Sequence, residues 1–264
     1  MSNSFKTTLL SALAVIIVLA LFFLFKANDN DVSINNNNLV VGVSPDYPPF
    51  EFTKDGKIVG FDIDLINEIA KTMHMEVKIR EMEFSSLIPS LNSGEVDLII
   101  SSISRNSDRS ENIDFSEPYY ASAFTIISKD DQNFSSLEDL PNDAKVGVQT
   151  GSTMENFVNN YNDSVDKSLK IISLGSNFIL IEKLKLGEID ALVVEDAQAS
   201  SFVKNIVGLK SNTIEDNVYI DEEESSYVIG LKKDSSLTEK VNQAIENLNN
   251  NGQIDLLLKK WNLR

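Results

Sequence analysis

The sequence of 264 residues contains no cysteine, one histidine and one tryptophan. Without cysteine the chain can form no disulfide and no thiolate zinc site, and it has neither a cysteine nucleophile nor a cysteine to carry a lipid. A single histidine excludes a histidine-rich metal centre, and we expect His74, near the end of a helical segment, to pack or cap there. The sequence therefore indicates no metal and no cofactor.

Positive charge is also scarce, with 23 Lys and Arg against 40 Asp and Glu and a formal net charge of −17. Binding to nucleic acid through its phosphates needs clustered cations, so we expect no nucleic-acid partner. The same shortage disfavours attachment to an anionic lipid surface. A hydrophobic content of 42% with 24% charged residues is typical of a globular chain, here long enough for one large or two modest domains.

One long apolar run lies near the N-terminus. No charge occurs between Lys6 and Lys26, and residues 9–25 are apolar apart from Ser11. A helix of about nineteen residues measures roughly 28 Å, close to the hydrocarbon thickness of a bilayer. Residues 1–26 are therefore predicted to be a signal peptide or an uncleaved membrane anchor, and either implies export. The polar, Asn-rich residues 27–38 predict a flexible linker.

From residue 39 onward, short apolar runs alternate with amphipathic segments, which predicts an α/β fold. The runs LVVGV at 39–43 and KVGV at 145–148 both read as a strand entering a loop. LNSGEVDLII at 91–100 and LKLGEIDALV at 184–193 both read as a helix that ends at glycine before a strand. This repetition predicts two lobes that are built alike. In the first half of the chain, apolar residues at helical spacing over 62–73 also predict a helix, with Asp62 as its N-cap.

The loop DYPPFE at 46–51 is the first of three that could bind a ligand. Its two prolines hold the backbone extended, and they can aim the rings of Tyr47 and Phe50 at a fixed point. The alternative is that the loop is a rigid turn that caps the hydrophobic core.

The second loop follows an apolar strand and contains Ser102, Ser104 and Arg109. Loops at the carboxyl ends of parallel strands are where α/β proteins bind ligands. Two hydroxyls and a guanidinium fork could hold a carboxylate there. The alternative is that Arg109 lies at the surface and pairs with Glu111 or Asp114.

The third loop contains Ser152, which forms a capping box with Glu155 and predicts that a helix begins beside Thr153. Helix N-termini attract anions, although capping alone would also explain these residues. Glu195 and Asp196 follow another strand, and an acidic group there could pair with a ligand ammonium. A solvated acidic loop is the alternative.

Six short motifs, each present once, follow one another along the chain. They are YPPFE at 47–51, VGFDIDL at 59–65, FSSLIPSL at 84–91, DFSEPYY at 114–120, VGVQTGST at 146–153 and KW at 260–261. In these motifs and their spacing, residues 39–264 resemble the periplasmic polar amino-acid-binding proteins of ABC importers. The resemblance implies an α/β, two-lobed periplasmic-binding-protein fold, with each lobe a sheet flanked by helices and two hinge strands between them. It places lobe 1 at 39–128 and 226–264, and lobe 2 at 129–225.

The resemblance also implies roles for individual residues. Tyr47 and Phe84 would sandwich the ligand, Gln149 would border its side chain, and Glu195 would bind its α-ammonium where the family usually has aspartate. Several members that bind cationic or amide side chains have aspartate at the position of Ser44. The residues implied to bind the α-carboxylate are Ser102, Ser104, Arg109, Ser152 and Thr153.

The function implied by the resemblance is extracytoplasmic binding of a free, polar L-amino acid by hinged closure, with delivery to an ABC transporter permease. We expect a monomer that contacts the membrane only if its N-terminal helix is retained. One alternative is an enzyme similar to the cyclohexadienyl dehydratases, which share this fold and would use Glu195 as a general acid. Another is a membrane-tethered amino-acid sensor module.

Overall fold

The computed structural model describes residues 37–215 and 225–264, in which strands and helices alternate along the chain. The strands are β1 (Asn38–Val43), β2 (Asp46–Tyr47), β3 (Glu51–Lys54), β4 (Lys57–Val59), β5 (Glu76–Glu81), β6 (Leu98–Ile99), β7 (Ile113–Phe115), β8 (Tyr120–Ala121), β9 (Phe124–Lys129), β10 (Lys145–Gln149), β11 (Lys170–Leu174), β12 (Ala191–Glu195), β13 (Leu209–Thr213), β14 (Ser226–Tyr227) and β15 (Gly230–Lys232). The α-helices are α1 (Phe61–Thr72), α2 (Leu87–Ser93), α3 (Ser107–Asn112), α4 (Thr153–Ser164), α5 (Asn177–Leu186), α6 (Asp196–Asn205), α7 (Leu237–Asn250) and α8 (Gln253–Lys260), and short 3₁₀ turns cover Phe84–Ser86 and Leu137–Asp139.

The predicted leader at 1–26 and all but the last two residues of the predicted linker at 27–38 lie outside the described residues. The last of them, Asn38, is the first residue of β1. Within the two described ranges, no helix combines the length and the apolar character needed to span a bilayer.

The first sheet has the strand order β5-β1-β6-β15-β7. Its first three strands are parallel, and β15 runs antiparallel to both of its neighbours. The buried faces of β1 and α1 share one hydrophobic core with α7 and α8, and α2 packs against the other face of the sheet. This sheet is therefore completed by a strand that comes almost two hundred residues after its first.

The second sheet repeats this plan with the order β11-β10-β12-β9-β13. Again three strands are parallel, and β9, the strand that enters from the other lobe, runs antiparallel to the strands beside it. Separate cores lie on its two faces. The predicted α/β fold with two similarly built lobes is confirmed.

The two lobes are joined where the chain crosses twice. β8 and β14 lie at these crossings and pair antiparallel as a two-stranded sheet, which corresponds to the predicted hinge strands. The division of lobe 1 after residue 128 needs correction, because Phe124–Lys129 belongs to the second sheet. The switch between lobes therefore falls between β8 and β9. Apolar alternation alone does not reveal which sheet a buried strand joins.

Glycines at corresponding positions of the two sequence halves have the same structural roles. Gly94 and Gly187 end α2 and α5 with φ of 78° and 74°, the left-handed conformation that glycine adopts most easily. Gly42 and Gly147 lie in the central strands, where a Cβ atom would come within 3.0 Å and 2.6 Å of Ile99 and Ile189. The absent side chains let each helix layer pack closely on its sheet.

The start of α1 differs from the prediction, because Gly60 and not Asp62 is the N-cap. Gly60 has φ of 142°, and a Cβ atom there would lie 1.9 Å from the carbonyl oxygen of Phe50. The amide of Asp62 donates to that same carbonyl at 2.9 Å. Asp62 is therefore the second residue inside the helix and not its N-cap, and its side chain is fully buried.

Candidate functional site

Most of the predicted site residues surround one cavity between the two sheets. Its lining comes from the carboxyl ends of parallel strands in both lobes, which is the usual position for ligands in α/β proteins. The predicted residues that line it are Tyr47, Phe84, Ser102, Arg109, Gln149, Ser152, Thr153 and Glu195, and two residues that were not predicted, Ser101 and Met154, complete it.

Ser104 is the predicted residue that does not line the cavity. It is buried, it forms an isolated bridge with Tyr227, and its carbonyl oxygen rather than its hydroxyl contacts Arg109. Phe50 also lies elsewhere, because its ring is fully buried between those of Tyr120 and Tyr227 at 5.0 Å and 4.9 Å. For Phe50 the alternative of a rigid, core-capping turn is the correct one.

Arg109 spans the cleft from lobe 1 to lobe 2. Its Nη1 donates to the carbonyl oxygen of Ser104 at 2.6 Å, and its Nη2 donates to that of Gly151 at 2.9 Å. The guanidinium also lies over the ring of Phe84, 5.6 Å from the centroid. Since only 8% of Arg109 is exposed, it is an interior residue and not a surface cation.

The helix start predicted at Ser152 is confirmed. The Ser152 hydroxyl accepts a hydrogen bond from the amide of Glu155 at 3.1 Å, and the Glu155 carboxylate accepts one from the amide of Gly151 at 2.6 Å. The positive end of the α4 dipole therefore lies beside Arg109, because Gly151 contacts both. Together a buried guanidinium and a helix N-terminus form a site with the chemistry for an anion.

Glu195 lies on another side of the cavity, at the carboxyl end of β12, and is 2% exposed. The hydroxyl of Tyr47, from the opposite lobe, donates to its carboxyl group and accepts from its backbone amide at 3.2 Å. Burial raises the pKa of Glu195 from 4.5 to about 8, and the negative charge of Asp196 adds to the rise. A ligand cation beside this carboxyl group would favour its charged form and lower its pKa.

Asp46 is a second acidic group at this boundary, one that sequence reasoning missed. Its carboxylate accepts from Gln149 Nε2 at 3.1 Å and from the amide of Asn177, the first residue of α5, at 2.8 Å. Burial raises its pKa from 3.8 to about 6, although both hydrogen bonds act in the opposite direction. Asp46 joins lobe 1 to lobe 2 beside the cavity-lining Gln149, and the helix N-terminus at Asn177 favours its charged form.

The cavity thus contains an anion site built on Arg109 and α4 and an acidic site built on Glu195, each with contributions from both lobes. This arrangement is typical of a ligand-binding protein of two α/β lobes, with groups of both charges in the cavity between them.

Residues 39–264 match the profile of the bacterial extracellular solute-binding proteins, family 3, and the chain belongs to this family. It is 34% identical over 256 residues to the arginine-binding extracellular protein ArtP of Bacillus subtilis, covering 97% of this chain and 98% of that one. It is also 34% identical to a probable histidine-binding protein of Campylobacter jejuni, covering 85% of each chain. An ancestral arginine-binding protein bound to arginine superimposes with a TM-score of 0.79 at 34% identity, over 86% of this chain and 98% of that chain.

Proposed function

We propose that this protein captures a free amino acid with a positively charged side chain and delivers it to an ABC transporter permease. The observation that carries the proposal is the placement of Arg109 and Glu195 in one cavity. A guanidinium and a helix N-terminus suit an α-carboxylate, and a buried carboxyl group suits an α-ammonium. A zwitterion satisfies both sites at once, which an anion or a cation alone does not.

Asp46 supports a cationic side chain. Ser44 lacks the charge that the resemblance implies for several binders of cationic or amide side chains, but Asp46 provides a carboxylate two residues further on, beside Gln149. Glu195 lines the cavity with Arg109, and Asp46 lies behind its lining residue Gln149, so a ligand with an extra positive charge would balance the local charge best. The arginine and histidine named for the relatives agree with this choice.

Closure at the hinge strands explains how the site would trap its ligand. Tyr47, Arg109 and Asp46 of lobe 1 each contact lobe 2, so the binding residues are complete only when the lobes are together. Opening at β8 and β14 would separate the two halves of the site and admit the amino acid. A ligand that binds the closed state better than the open one shifts the population toward closure.

A thermal-shift screen against the amino acids tests this function. We expect arginine, lysine, ornithine or histidine to raise the melting temperature most, because a ligand at about 100 times its Kd stabilises the folded state by about 2.7 kcal/mol. Aspartate and glutamate should have no effect, because their side chains would lie toward the negative charge of Asp46. Calorimetry on the best ligand then gives Kd. Unchanged melting with every amino acid would contradict the proposal.

The variant Asp46→Asn tests the cationic preference. Loss of a charge-assisted contact is expected to weaken arginine binding by about 1.5–3 kcal/mol, roughly ten- to a hundredfold in Kd, and to leave glutamine binding nearly unchanged. Asp131→Asn is the matched control, since Asp131 is an exposed aspartate of lobe 2. Equal losses for arginine and glutamine would assign Asp46 to lobe closure and not to recognition of the side chain.

A second candidate is a dehydratase activity, which the raised pKa of Glu195 favours. A carboxyl group that is neutral near pH 7 can donate a proton to a departing hydroxyl group. On prephenate such a step would release water and carbon dioxide and leave phenylpyruvate. Incubation of the protein with prephenate, followed by absorbance of the aromatic product, distinguishes this activity from binding alone. We favour a binding protein that is not an enzyme, because the relatives compared above are named for binding.

The protein acts outside the cytoplasm, as its family does. We further propose that it is a monomer, since its cavity is completed by the two lobes of one chain. The apolar residues 9–25 would either anchor it to the membrane or be removed on export. Size-exclusion chromatography with light scattering tests whether the protein is a monomer. The mass of the mature protein tests whether residues 9–25 are removed.

A further inference from the structure

Two buried carboxyl groups lie directly behind the cavity, outside the ligand-contacting residues described above. Glu51 begins β3 and Asp62 lies in the first turn of α1, and they are 1% and 0% exposed. Neither was recognised as functional from the sequence. Both are held against the loop that contains Ser101 and Ser102, which line the cavity.

Hydrogen bonds connect both carboxyl groups to this loop. The hydroxyls of Ser101 and Ser102 donate to Glu51 at 2.9 Å and 3.2 Å. The amide of Ser102 donates to Oδ2 of Asp62 at 2.9 Å, and the Tyr119 hydroxyl donates to the same oxygen at 2.9 Å. Ser102 is therefore held by Glu51 through its hydroxyl and by Asp62 through its amide.

Ser102 needs such support because its backbone is in the left-handed region, with φ of 47°. A residue other than glycine rarely adopts this conformation unless its surroundings hold it there. Contacts with Glu51 on the side chain and Asp62 on the amide hold both ends of Ser102. The pair thereby fixes a wall of the cavity without touching the ligand.

Two adjacent carboxylates cannot both stay charged in an interior site. Oδ1 of Asp62 is buried, and no hydroxyl, amide or cationic side chain of the described residues donates to it. Glu51 lies within hydrogen-bonding reach of Asp62, so a proton on Glu51 would supply the missing donor. Asp62 already accepts two hydrogen bonds at its other oxygen, which favours its charged form.

The pKa values of the two carboxyl groups also favour a proton on Glu51. Burial and the charge of Asp62 raise the pKa of Glu51 well above 4.5, and the charge of Asp46 contributes. Burial raises the pKa of Asp62 to about 6, against the hydrogen bonds from Ser102, Tyr119 and Glu51. The other titratable groups that act on the pair are Tyr119 and Tyr227, whose own pKa values are raised well above 10. A proton shared by the pair therefore favours Glu51, because the two hydrogen bonds at Oδ2 favour the charged form of Asp62.

The geometry points to Glu51 and Asp62 as a proton-sharing positioning pair that holds Ser101 and Ser102 in the binding conformation. When the shared proton leaves, two negative charges face each other in the interior, the loop shifts, and affinity for the amino acid falls. This inference rests on the proposed function, because affinity is its first readout. It adds a pH limit to binding that the ligand-contacting residues alone do not impose.

The test compares the wild type with Glu51→Gln, whose amide keeps the shape of a neutral glutamic acid and still donates to Asp62. Binding of arginine is measured by calorimetry from about pH 6 to about pH 9.5. We expect similar Kd values near pH 6, and a wild-type affinity that falls about tenfold or more below that of the variant at the alkaline end. Titration of the ligand affects both proteins equally and cancels in the ratio.

Asp64→Asn is the matched control, because Asp64 lies in the same helix but binds Lys260 and Trp261 at 2.7 Å and 2.6 Å. Its Kd should follow the wild-type pH profile. A Glu51→Gln protein that is folded but binds at least about tenfold more weakly at pH 6, or a wild-type to variant ratio that stays constant with pH, would overturn the inference.

Melting without ligand separates failure of this inference from failure of the proposed function. A carboxyl pKa that is raised in the folded state adds stability at low pH, and this stability is lost as pH rises through the raised value. The wild type should therefore lose melting temperature relative to Glu51→Gln as pH rises through the raised pKa of Glu51, even if no amino acid binds. Parallel melting curves would contradict the shared proton, whatever the ligand is.

Discussion

Replacing Arg109 with alanine is expected to weaken amino-acid binding by about 2–5 kcal/mol, roughly 30- to 5,000-fold in Kd. The guanidinium is buried against Phe84 and is held by two carbonyl oxygens, one from each lobe. Its removal takes away the main positive charge for the α-carboxylate and a direct contact between the lobes. Calorimetry with the ligand found by screening measures the loss.

Arg105→Ala is the matched control for this variant. Arg105 lies in the loop just before α3, the helix that contains Arg109, but its Nη2 donates to the carbonyl oxygen of Ser116 at 2.9 Å and its guanidinium lies over Phe115. Its loss should lower stability without changing Kd by more than a few-fold. Arg109→Lys should fall between wild type and alanine, because a lysine keeps the charge but not the two-pronged geometry. Undiminished affinity in a folded Arg109→Ala protein would remove the carboxylate site.

Replacing Glu195 with glutamine is expected to cost about 2–5 kcal/mol of binding free energy as well, because the α-ammonium loses its charged partner. In the ligand-free protein Glu195 lies beside Tyr47 and Asp196, and its pKa is raised to about 8. It is therefore mostly neutral near pH 7. A bound ammonium favours the carboxylate, so ligand binding should release close to one proton below pH 8. Calorimetry in buffers of different ionisation enthalpy counts that proton.

The stability of the ligand-free protein should fall as pH rises, because of Glu195. The pKa of Glu195 is higher in the folded protein, so its neutral form stabilises the fold. This contribution is complete below about pH 4.5 and is lost as pH rises through about 8. The wild type should therefore lose a few kcal/mol of stability relative to Glu195→Gln across this range.

Glu182→Gln serves as the control for the Glu195 measurements, since Glu182 is an exposed residue of α5 that pairs with Lys185. It should leave proton release and the pH dependence of melting unchanged. If Glu195→Gln bound the amino acid as tightly as the wild type, or if binding released no proton at pH 7, the acidic half of the site would have to be assigned elsewhere.

Local pattern located some residues of the candidate site, whereas Phe84 and Gln149 were named only through the family resemblance. Glu195 was identified because it follows an apolar strand, and Ser152 because it opens a helix with Glu155 three residues later. Gly94 and Gly187 marked the ends of two helices because the left-handed conformation favours glycine. Each of these signals lies within a few residues of the feature that it predicts.

The parts that sequence reasoning missed depend on contacts between distant segments. Asp62 resembles an ordinary helix cap until Gly60 is found to approach the carbonyl of Phe50, which turns the Asp62 side chain inward. Glu51 and Asp46 resemble surface acids in a proline-rich loop, and their partners lie fifty or more residues away. Ser104 was assigned a hydroxyl role because the sequence does not show whether a side chain or a carbonyl faces Arg109.

The position of β15 between β6 and β7 in the first sheet affects how the protein is made. The edges of β6 and β7 that β15 pairs with stay without partners until residues 230–232 have been synthesised. The two helices that follow, Leu237–Asn250 and Gln253–Lys260, then close the same core over α1. The first lobe therefore cannot complete its native structure until the chain of the second lobe has been synthesised. This delay suits a polypeptide that must pass through a narrow secretion channel before it folds.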